Sequence, residues 1–277
     1  MVLSAEHVTV RYESSSGVAT LAVSDVTLEI RQGEFVSIIG PSGCGKSTIL
    51  HCLGGLIRPS AGRVRFDDLD VVHPMPRQAA FVFQDYGLLP WKTVAENTAL
   101  GLRFERVPKA RRRTQAARFL DLVGLREYLD AYPGELSGGM QQRVAVARAL
   151  CMEPSVLLLD EPFGAIDEQS RRYLGVEMSR VLQEAGKSVV LVTHSLEEAI
   201  YWGDRVVVMS SHPGRILDEI EVGEPRPRPL EFLTEPSFQQ VRARLFELLT
   251  PPDGQGAAQA GALASVRDTP GGGERPA

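Results

Sequence analysis

The stretch GPSGCGKST, residues 40–48, places three glycines, one lysine and three hydroxyl side chains within nine residues. Such glycines let backbone N–H groups wrap around a triphosphate, while Lys46 supplies a positive charge and the Ser47 hydroxyl can ligate magnesium. An apolar stretch, EFVSIIG, precedes the loop and a helical one, TILHCLGGL, follows it, which is the context that phosphate binding requires. Cys44 is assigned no chemical role of its own, and it is expected to lie near the nucleotide only because of its position in the loop. The positions expected to lie against a nucleotide are Gly40, Pro41, Ser42, Gly43, Cys44, Gly45, Lys46, Ser47 and Thr48.

Polar side chains also follow three other apolar stretches. SVLLLDEP ends in the adjacent carboxylates Asp160 and Glu161. With a phosphate loop upstream, Asp160 is placed to hold the magnesium shell, and Glu161 to orient or deprotonate an attacking water. SVVLVTHS places His194 at the carboxyl end of an apolar strand, where open α/β sheets bind ligands. This position favours a γ-phosphate contact over a purely structural role for the histidine. Gln84 ends AAFVFQ and could reach magnesium or the attacking water, although alone it carries little weight.

A second glycine-rich turn, GELSGGMQQRVAVARAL at residues 134–150, runs into a helix but contains no lysine. The start of a helix presents free N–H groups and the positive end of the helix dipole, both of which favour phosphate. Ser137, Gly138, Gly139 and Gln141 stand at the start of this helix. The sequence therefore predicts two phosphate-facing helix starts in one chain.

The N-terminal stretches VTVRYE and DVTLEI alternate apolar and polar residues with a period of two, which predicts antiparallel β-structure. Val8, Val10 and Tyr12 fall on one face of the first strand. An aromatic residue in such a position is normally part of the core. Tyr12 could instead stack on an adenine ring.

The rest of the pattern predicts an α/β fold. EFVSIIG, SVLLLDEP, SVVLVTH and RVVVM are short apolar runs typical of strands buried on both faces, and helical stretches separate most of them. This predicts a core with a parallel sheet. Between AAFVFQ and SVLLLDEP the sequence is helical and is punctuated by Pro90, Pro108 and Pro133, which indicates a helical subdomain inserted at about residues 88–155.

Composition limits the class of protein. The chain of 277 residues has room for one large domain, and its net charge of -5 argues against a surface that is basic throughout and binds nucleic acid. Three cysteines without a CxxC pair suggest a reducing compartment. The N-terminus does not resemble a secretory signal, and the apolar runs are too short to span a membrane, so we expect a soluble protein that can still sit on a membrane partner.

The composition changes from Gly223 onward. A Pro-rich linker and a C-terminal helix are predicted over residues 223–250, with helical apolar spacing at Phe238, Val241 and Leu245. Residues 251–277 are rich in Gly, Ala and Pro and are expected to be disordered.

The order of these motifs resembles the ATP-binding subunits of the ATP-binding cassette (ABC) transporters, from about Leu3 to Ile220. The resemblance implies an ABC nucleotide-binding domain with a P-loop NTPase core over residues 1–222, with ATP and Mg²⁺ as cofactors. It assigns adenine to Tyr12. In that family the serine and glycines of LSGG cap the γ-phosphate of ATP bound to a second copy, which makes Ser137, Gly138, Gly139 and the nearby Gln141 expected nucleotide-binding residues. Asp167 matches a loop that communicates between the two sites. The motifs that carry the resemblance are Tyr12, GPSGCGKST, Gln84, LSGGMQQR, VLLLDEP, GAID and THS.

Three longer phrases, DYGLLPWKTVAENTALGL, EPFGAID and DRVVVMSSHPGRI, resemble the branch that serves nitrate, sulfonate and taurine importers. That branch implies import, integral membrane permease subunits as direct partners, an extracytoplasmic solute-binding protein as an indirect one, and a peripheral position on the cytoplasmic face of the inner membrane. An apolar cluster in the same region either packs on the helical subdomain or lines the groove that receives a short helix of the membrane subunit, and both can hold. The cluster consists of Tyr86, Leu88, Leu89, Pro90 and Trp91.

Two other classes of protein remain as alternatives. A soluble ABC ATPase of translation, DNA repair or chromosome structure would carry two cassettes, or long arms or zinc modules, and the sequence has neither. An unrelated P-loop kinase would leave LSGGMQQR without a role. The basic run Lys109 to Arg113 invites comparison with nucleic-acid or anionic-lipid sites, but the acidic overall charge favours a solvated helix face and no nucleic-acid partner.

Overall fold

The computed structural model describes residues 2–13, 19–163 and 168–250. Asp167 and the predicted tail at residues 251–277 lie outside these ranges. The strands are β1 (Leu3–Glu13), β2 (Ala19–Ile30), β3 (Phe35–Ile39), β4 (Ala61–Phe66), β5 (Leu69–Asp70), β6 (Ala79–Val82), β7 (Val156–Asp160), β8 (Ser188–Val192), β9 (Arg205–Met209) and β10 (Ile216–Glu221). The helices are α1 (Lys46–Leu53), α2 (Val94–Thr98), α3 (Leu100–Phe104), α4 (Lys109–Leu122), α5 (Gly138–Leu150), α6 (Glu168–Glu184), α7 (Leu196–Trp202) and α8 (Pro236–Leu249).

The larger sheet has the order β10-β9-β3-β8-β7-β6. Strands β9, β3, β8, β7 and β6 pair in parallel, and β10 pairs with β9 in the antiparallel sense. The central strands β3, β8 and β9 are buried at every position, which explains why their sequences are continuous apolar runs rather than alternating ones. The predicted α/β core with a parallel sheet is confirmed, and the carboxyl ends of β3, β6, β7 and β8 share one edge.

The smaller sheet has the order β2-β1-β4-β5 and is antiparallel, as predicted for the N-terminal part. Two of its strands, β4 and β5, follow α1 in the sequence, and the sequence pattern did not predict that they belong to this sheet. Val8 and Val10 are buried, whereas Tyr12 is 43% exposed. Shifts in the β1–β2 register on either side of Val10 interrupt the alternation, so the reading of Tyr12 as a core residue is wrong.

Helices α2 to α5 all lie between β6 and β7, which are neighbours in the sheet. Helices α2, α4 and α5 pack on one another around apolar side chains that include Phe119, Leu120 and Val144. The predicted helical insertion in the α/β core is therefore present. Among the described residues, no helix is both long enough and apolar enough to cross a membrane.

The segment after β10 packs on the domain. Helix α8 contacts α7, β9 and β10, and Phe232, Phe238 and Leu245 belong to the same hydrophobic cluster as the sheet. Arg228 is buried, and its guanidinium donates to the carbonyl oxygens of Ile200, Tyr201 and Gly203 at 2.8–2.9 Å. This side chain thus supplies hydrogen bonds to the carboxyl end of α7.

Candidate nucleotide site

The loop between β3 and α1 owes its shape to glycine. Gly43 and Gly45 have φ values of 74° and 96°, a region in which other residues are strained, and Gly45 is the residue before the first turn of α1. The backbone therefore curls around the start of a helix whose N–H groups are directed into the loop. This is the geometry that binds phosphate.

Lys46 occupies the centre of that loop. Lys46 is only 6% exposed, and its Nζ donates to the carbonyl oxygens of Gly40 at 2.9 Å and Pro41 at 3.1 Å. These contacts hold the ammonium group inside the curl of the backbone. A phosphate bound by the loop would meet a positive charge already in position.

Ser47 and Asp160 provide paired oxygens beside the loop. The Ser47 hydroxyl donates to Asp160 Oδ1 at 2.9 Å, joining the first turn of α1 to the last residue of β7. Burial raises the pKa of Asp160, while the hydrogen bond from Ser47 and the nearby His51 oppose that shift. One hydroxyl and one carboxylate, with room for phosphate oxygens and water, fit the oxygen-only coordination that Mg²⁺ prefers. The residues present therefore fit this metal.

Glu161 and His194 meet at the same edge of the sheet. His194 Nδ1 lies 3.2 Å from Glu161 Oε2, and the Glu161 N–H donates to Val192 O at 2.9 Å. Glu161 has a φ of 44°, a positive value that is uncommon for a residue other than glycine. In this conformation the backbone N–H of Glu161 is hydrogen-bonded to β8, and the residue borders the cleft of the phosphate loop.

A cleft of about 400 Å³ adjoins the loop. Tyr12 borders it, and its hydroxyl lies 3.2 Å from Thr48 Oγ1, so the aromatic ring is tied to the first turn of α1. The lining residues in the described ranges are Tyr12, Thr20, Ala22, Ser42, Gly43, Gly45, Lys46, Ser47, Thr48, Glu161 and His212. The cleft thus combines an aromatic wall with a phosphate-binding floor.

Three lining residues, Thr20, Ala22 and His212, were not predicted. A side-chain carbon at Gly43 would lie 3.5 Å from His212 Cε1, which places the imidazole beside the phosphate loop. The Gly214 N–H donates to Ala22 O at 2.9 Å and brings the segment after β9 to the cleft. The sequence signal for His212 was its place after the apolar run RVVVM, the same signal that identified His194.

Gln84 lies two residues beyond β6, at the same sheet edge as Asp160, and is exposed. It is absent from the described residues that border the cleft. Cys44 is fully buried, burial raises the pKa of its thiol, and the residue is not among the described residues that border the cleft. The structure therefore assembles the phosphate loop, the carboxylates and His194, with Gln84 at the margin.

The second glycine turn is a separate surface. Ser137 caps α5, with Oγ accepting from the Met140 N–H at 3.3 Å, and Gly138 has open space around it. Gln141 Nε2 donates to the carbonyl oxygens of Pro133 and Leu136, so its amide braces the turn. None of the turn's described residues borders the cleft of the phosphate loop. The two helix starts therefore do not share one site within this chain.

These features define a nucleotide-binding cassette of the P-loop class. Residues 23–164 match the family described as ABC transporter, and the chain belongs to that family. The resemblance drawn from the sequence motifs is thereby confirmed.

The chain is 45% identical over 251 residues to the nitrate import ATP-binding protein NrtC of Synechococcus elongatus, covering 89% of this chain but only 38% of the length of NrtC. It is 41% identical over 233 residues to the nitrate import ATP-binding protein NrtD of the same organism, covering 83% of this chain and 85% of NrtD. Among solved structures, it matches the dimeric ATP-binding cassette MJ0796 in a post-hydrolysis state bound to ADP and Pi, with 33% identity and a TM-score of 0.70. That match covers 80% of this chain and all of the other.

Proposed function

We propose that this chain is the ATP-binding and ATP-hydrolysing subunit of an ABC importer. The observation that carries the proposal is the meeting of Lys46, the Ser47–Asp160 pair and the Glu161–His194 pair around one loop. Together they provide the charge, the metal ligands and the base that hydrolysis of a phosphoanhydride requires.

Each residue has a role in that reaction. Lys46 and the loop amides bind the β- and γ-phosphates, and Ser47, Asp160 and Gln84 are the residues that would hold magnesium. When bound, magnesium neutralises charge that develops on the phosphates. Glu161 accepts a proton from the water that attacks the γ-phosphorus, and His194 orients that carboxylate and contacts the γ-phosphate.

The exposed turn at Ser137 is proposed to complete the site of a second copy. Its helix start is capped, none of its described residues borders the cleft of its own chain, and a dimeric cassette is among the similar structures. Two copies arranged head to tail would each place this turn against ATP held by the other. ATP would then stabilise the dimer, and hydrolysis would remove the phosphate that bridges the copies.

Mixing two inactive variants tests this arrangement. Lys46→Ala prevents the phosphate loop of a copy from binding ATP. Ser137→Arg prevents the Ser137 turn of a copy from contacting ATP held by the other copy. In a mixed dimer one site retains both an intact loop and an intact turn, so ATP-dependent dimers and ATP hydrolysis should return on mixing. Full activity of a monomeric form would contradict the proposal.

The membrane partner is proposed to dock beside the loop that follows Gln84. Within the cluster defined above, Tyr86 is buried whereas Trp91 is 71% exposed. Asn97, which is fully buried, fixes this loop by donating to the carbonyl oxygens of Leu89 and Lys92 and accepting from the Leu89 N–H at 2.7 Å. An adjoining cleft of about 560 Å³ begins at Lys92 and runs between α2 and α4. A rigid loop with one exposed aromatic beside a groove suits a short helix of a permease subunit.

The solute is proposed to be nitrate or a similar small solute, such as an alkanesulfonate or taurine. The similarity to two nitrate import proteins supports this choice. Selectivity would lie in the permease subunits and in an extracytoplasmic solute-binding protein, while this chain would remain peripheral on the cytoplasmic face of the inner membrane.

Co-purification separates the proposed function from a role in translation or DNA repair. The tagged chain, expressed in its native host, should purify with integral membrane proteins and hydrolyse ATP. Recovery with ribosomes or DNA instead would contradict the transport assignment.

A further inference from the structure

His51 lies one helical turn after Ser47 on α1 and directs its ring toward the same carboxylate. Its Nε2 atom is 3.6 Å from Asp160 Oδ2, while Ser47 Oγ donates to Asp160 Oδ1 at 2.9 Å. The two oxygens of Asp160 therefore face two different residues of one helix. The distance from His51 Nε2 to Asp160 Oδ2 is slightly longer than a hydrogen bond, so a movement of a few tenths of an ångström would allow one to form.

The Nε2 atom of His51 is buried and has no hydrogen-bond partner among the described residues. A buried polar atom without a partner costs free energy, and such atoms in native proteins call for an explanation. Asp160 Oδ2 is the acceptor toward which Nε2 is directed, since the two atoms are already within ion-pair distance.

Two phenylalanine rings limit the orientation of the imidazole. The centroid of the His51 ring is 5.8 Å from that of Phe81 and 6.4 Å from that of Phe83. Phe81 reaches this position because residue 54 is glycine, where a side-chain carbon would lie 2.0 Å from the Phe81 ring. The aromatic contacts leave His51 facing Asp160.

We propose that His51 is a positioning residue for the magnesium-binding carboxylate. In this role a small closing movement brings Nε2–H close enough to donate to Asp160 Oδ2 while Ser47 donates to Oδ1, so that the carboxylate is kept from rotating away from the phosphate loop. Residues that do not touch a metal but orient one of its ligands through a hydrogen bond contribute substantially to metal affinity. The inference rests on the proposed function, because it requires a nucleotide bound with a metal ion at this loop.

Metal-dependent nucleotide binding tests the role of His51. His51→Leu removes the donor, whereas His51→Gln retains an N–H at a similar distance from the backbone. His73→Leu makes the same change at an exposed histidine. The Kd of ATP is measured for each protein with magnesium and with EDTA, and the Mn²⁺ EPR spectrum is recorded with ADP.

We expect His51→Leu to weaken binding of the metal–nucleotide complex by about 10- to 100-fold and to alter the Mn²⁺ spectrum, with the Kd in EDTA unchanged. His51→Gln should restore most of the metal-dependent affinity, and His73→Leu should match the wild type. Unchanged metal-dependent binding in His51→Leu, or equal weakening with and without metal, would overturn the inference. If the wild-type chain bound no ATP under either condition, the proposed function would fail as well.

Discussion

The imidazole of His194 and the carboxylate of Glu161 lie 3.2 Å apart although 33 residues separate them in the sequence. The parallel register of β7 and β8 explains this approach, because Asp160 pairs with Val192. That pair is the last of both strands, and the chain immediately beyond it presents Glu161 and His194 at the same edge of the sheet. The carboxylate thus gains a partner that restricts its orientation toward the cleft.

Replacing Glu161 by glutamine should separate binding from hydrolysis. The amide keeps the size of the side chain but cannot accept a proton from water, so turnover should fall by about 10²- to 10⁴-fold while ATP binding is retained. Phosphate release measures turnover, and gel filtration with ATP should show an accumulated dimer. Glu127→Gln, at an exposed position, serves as the control and should hydrolyse ATP normally. Near-normal turnover in Glu161→Gln would show that another group is the base.

Tyr12 should contribute to nucleotide affinity through its ring. Stacking of a base on an aromatic side chain is worth about 1–3 kcal/mol, so Tyr12→Ala should weaken ATP binding by about 5- to 150-fold. Tyr12→Phe loses only the contact between the hydroxyl and Thr48 and should bind almost as the wild type does. Calorimetric titration with ATP distinguishes the two. Equal affinities of the wild type and Tyr12→Ala would exclude stacking.

Arg228 should stabilise the folded chain. In Arg228→Met, three carbonyl oxygens at the end of α7 lose their buried donor, which should lower the free energy of unfolding by about 3 kcal/mol. Burial lowers the pKa of Arg228 to about 10, so the side chain still carries its charge at neutral pH. Urea unfolding provides the measurement.

Arg244→Met is the matched control for that change. Arg244 forms an exposed ion pair with Asp218, and such pairs contribute about 1 kcal/mol or less. A loss of stability in Arg228→Met no greater than that in Arg244→Met would contradict a stabilising role for the buried guanidinium.

The cysteines should react slowly in the native protein. Burial raises the pKa of Cys52 and of Cys151 to about 12, and it also raises that of Cys44. Since a raised pKa leaves the thiol protonated at pH 8, little reactive thiolate is present. Titration with a thiol reagent should be slow in buffer and should rapidly report all three cysteines in denaturant. Equally fast labelling of native and denatured protein would show that the thiols are accessible.

The sequence alone determined the local features of the site. The glycines and lysine of residues 40–48 identify a phosphate loop because phosphate binding requires those residue types at close spacing. Asp160, Glu161 and His194 were identifiable because each follows a continuous apolar run, the pattern of a strand buried on both faces. These signals involve neighbours in the chain, and periodicity and spacing encode them directly.

Only the tertiary structure decided which of these features meet. The approach of His51 to Asp160 depends on how α1 packs beside β7, and the exposure of Tyr12 depends on register shifts between β1 and β2. The entry of His212 into the cleft depends on hydrogen bonds between the segment after β9 and β2. Strand order, register and packing involve residues far apart in sequence, and one residue's change of register turns a side chain to the opposite face. Local patterns therefore identified the chemical groups, and the fold determined their partners.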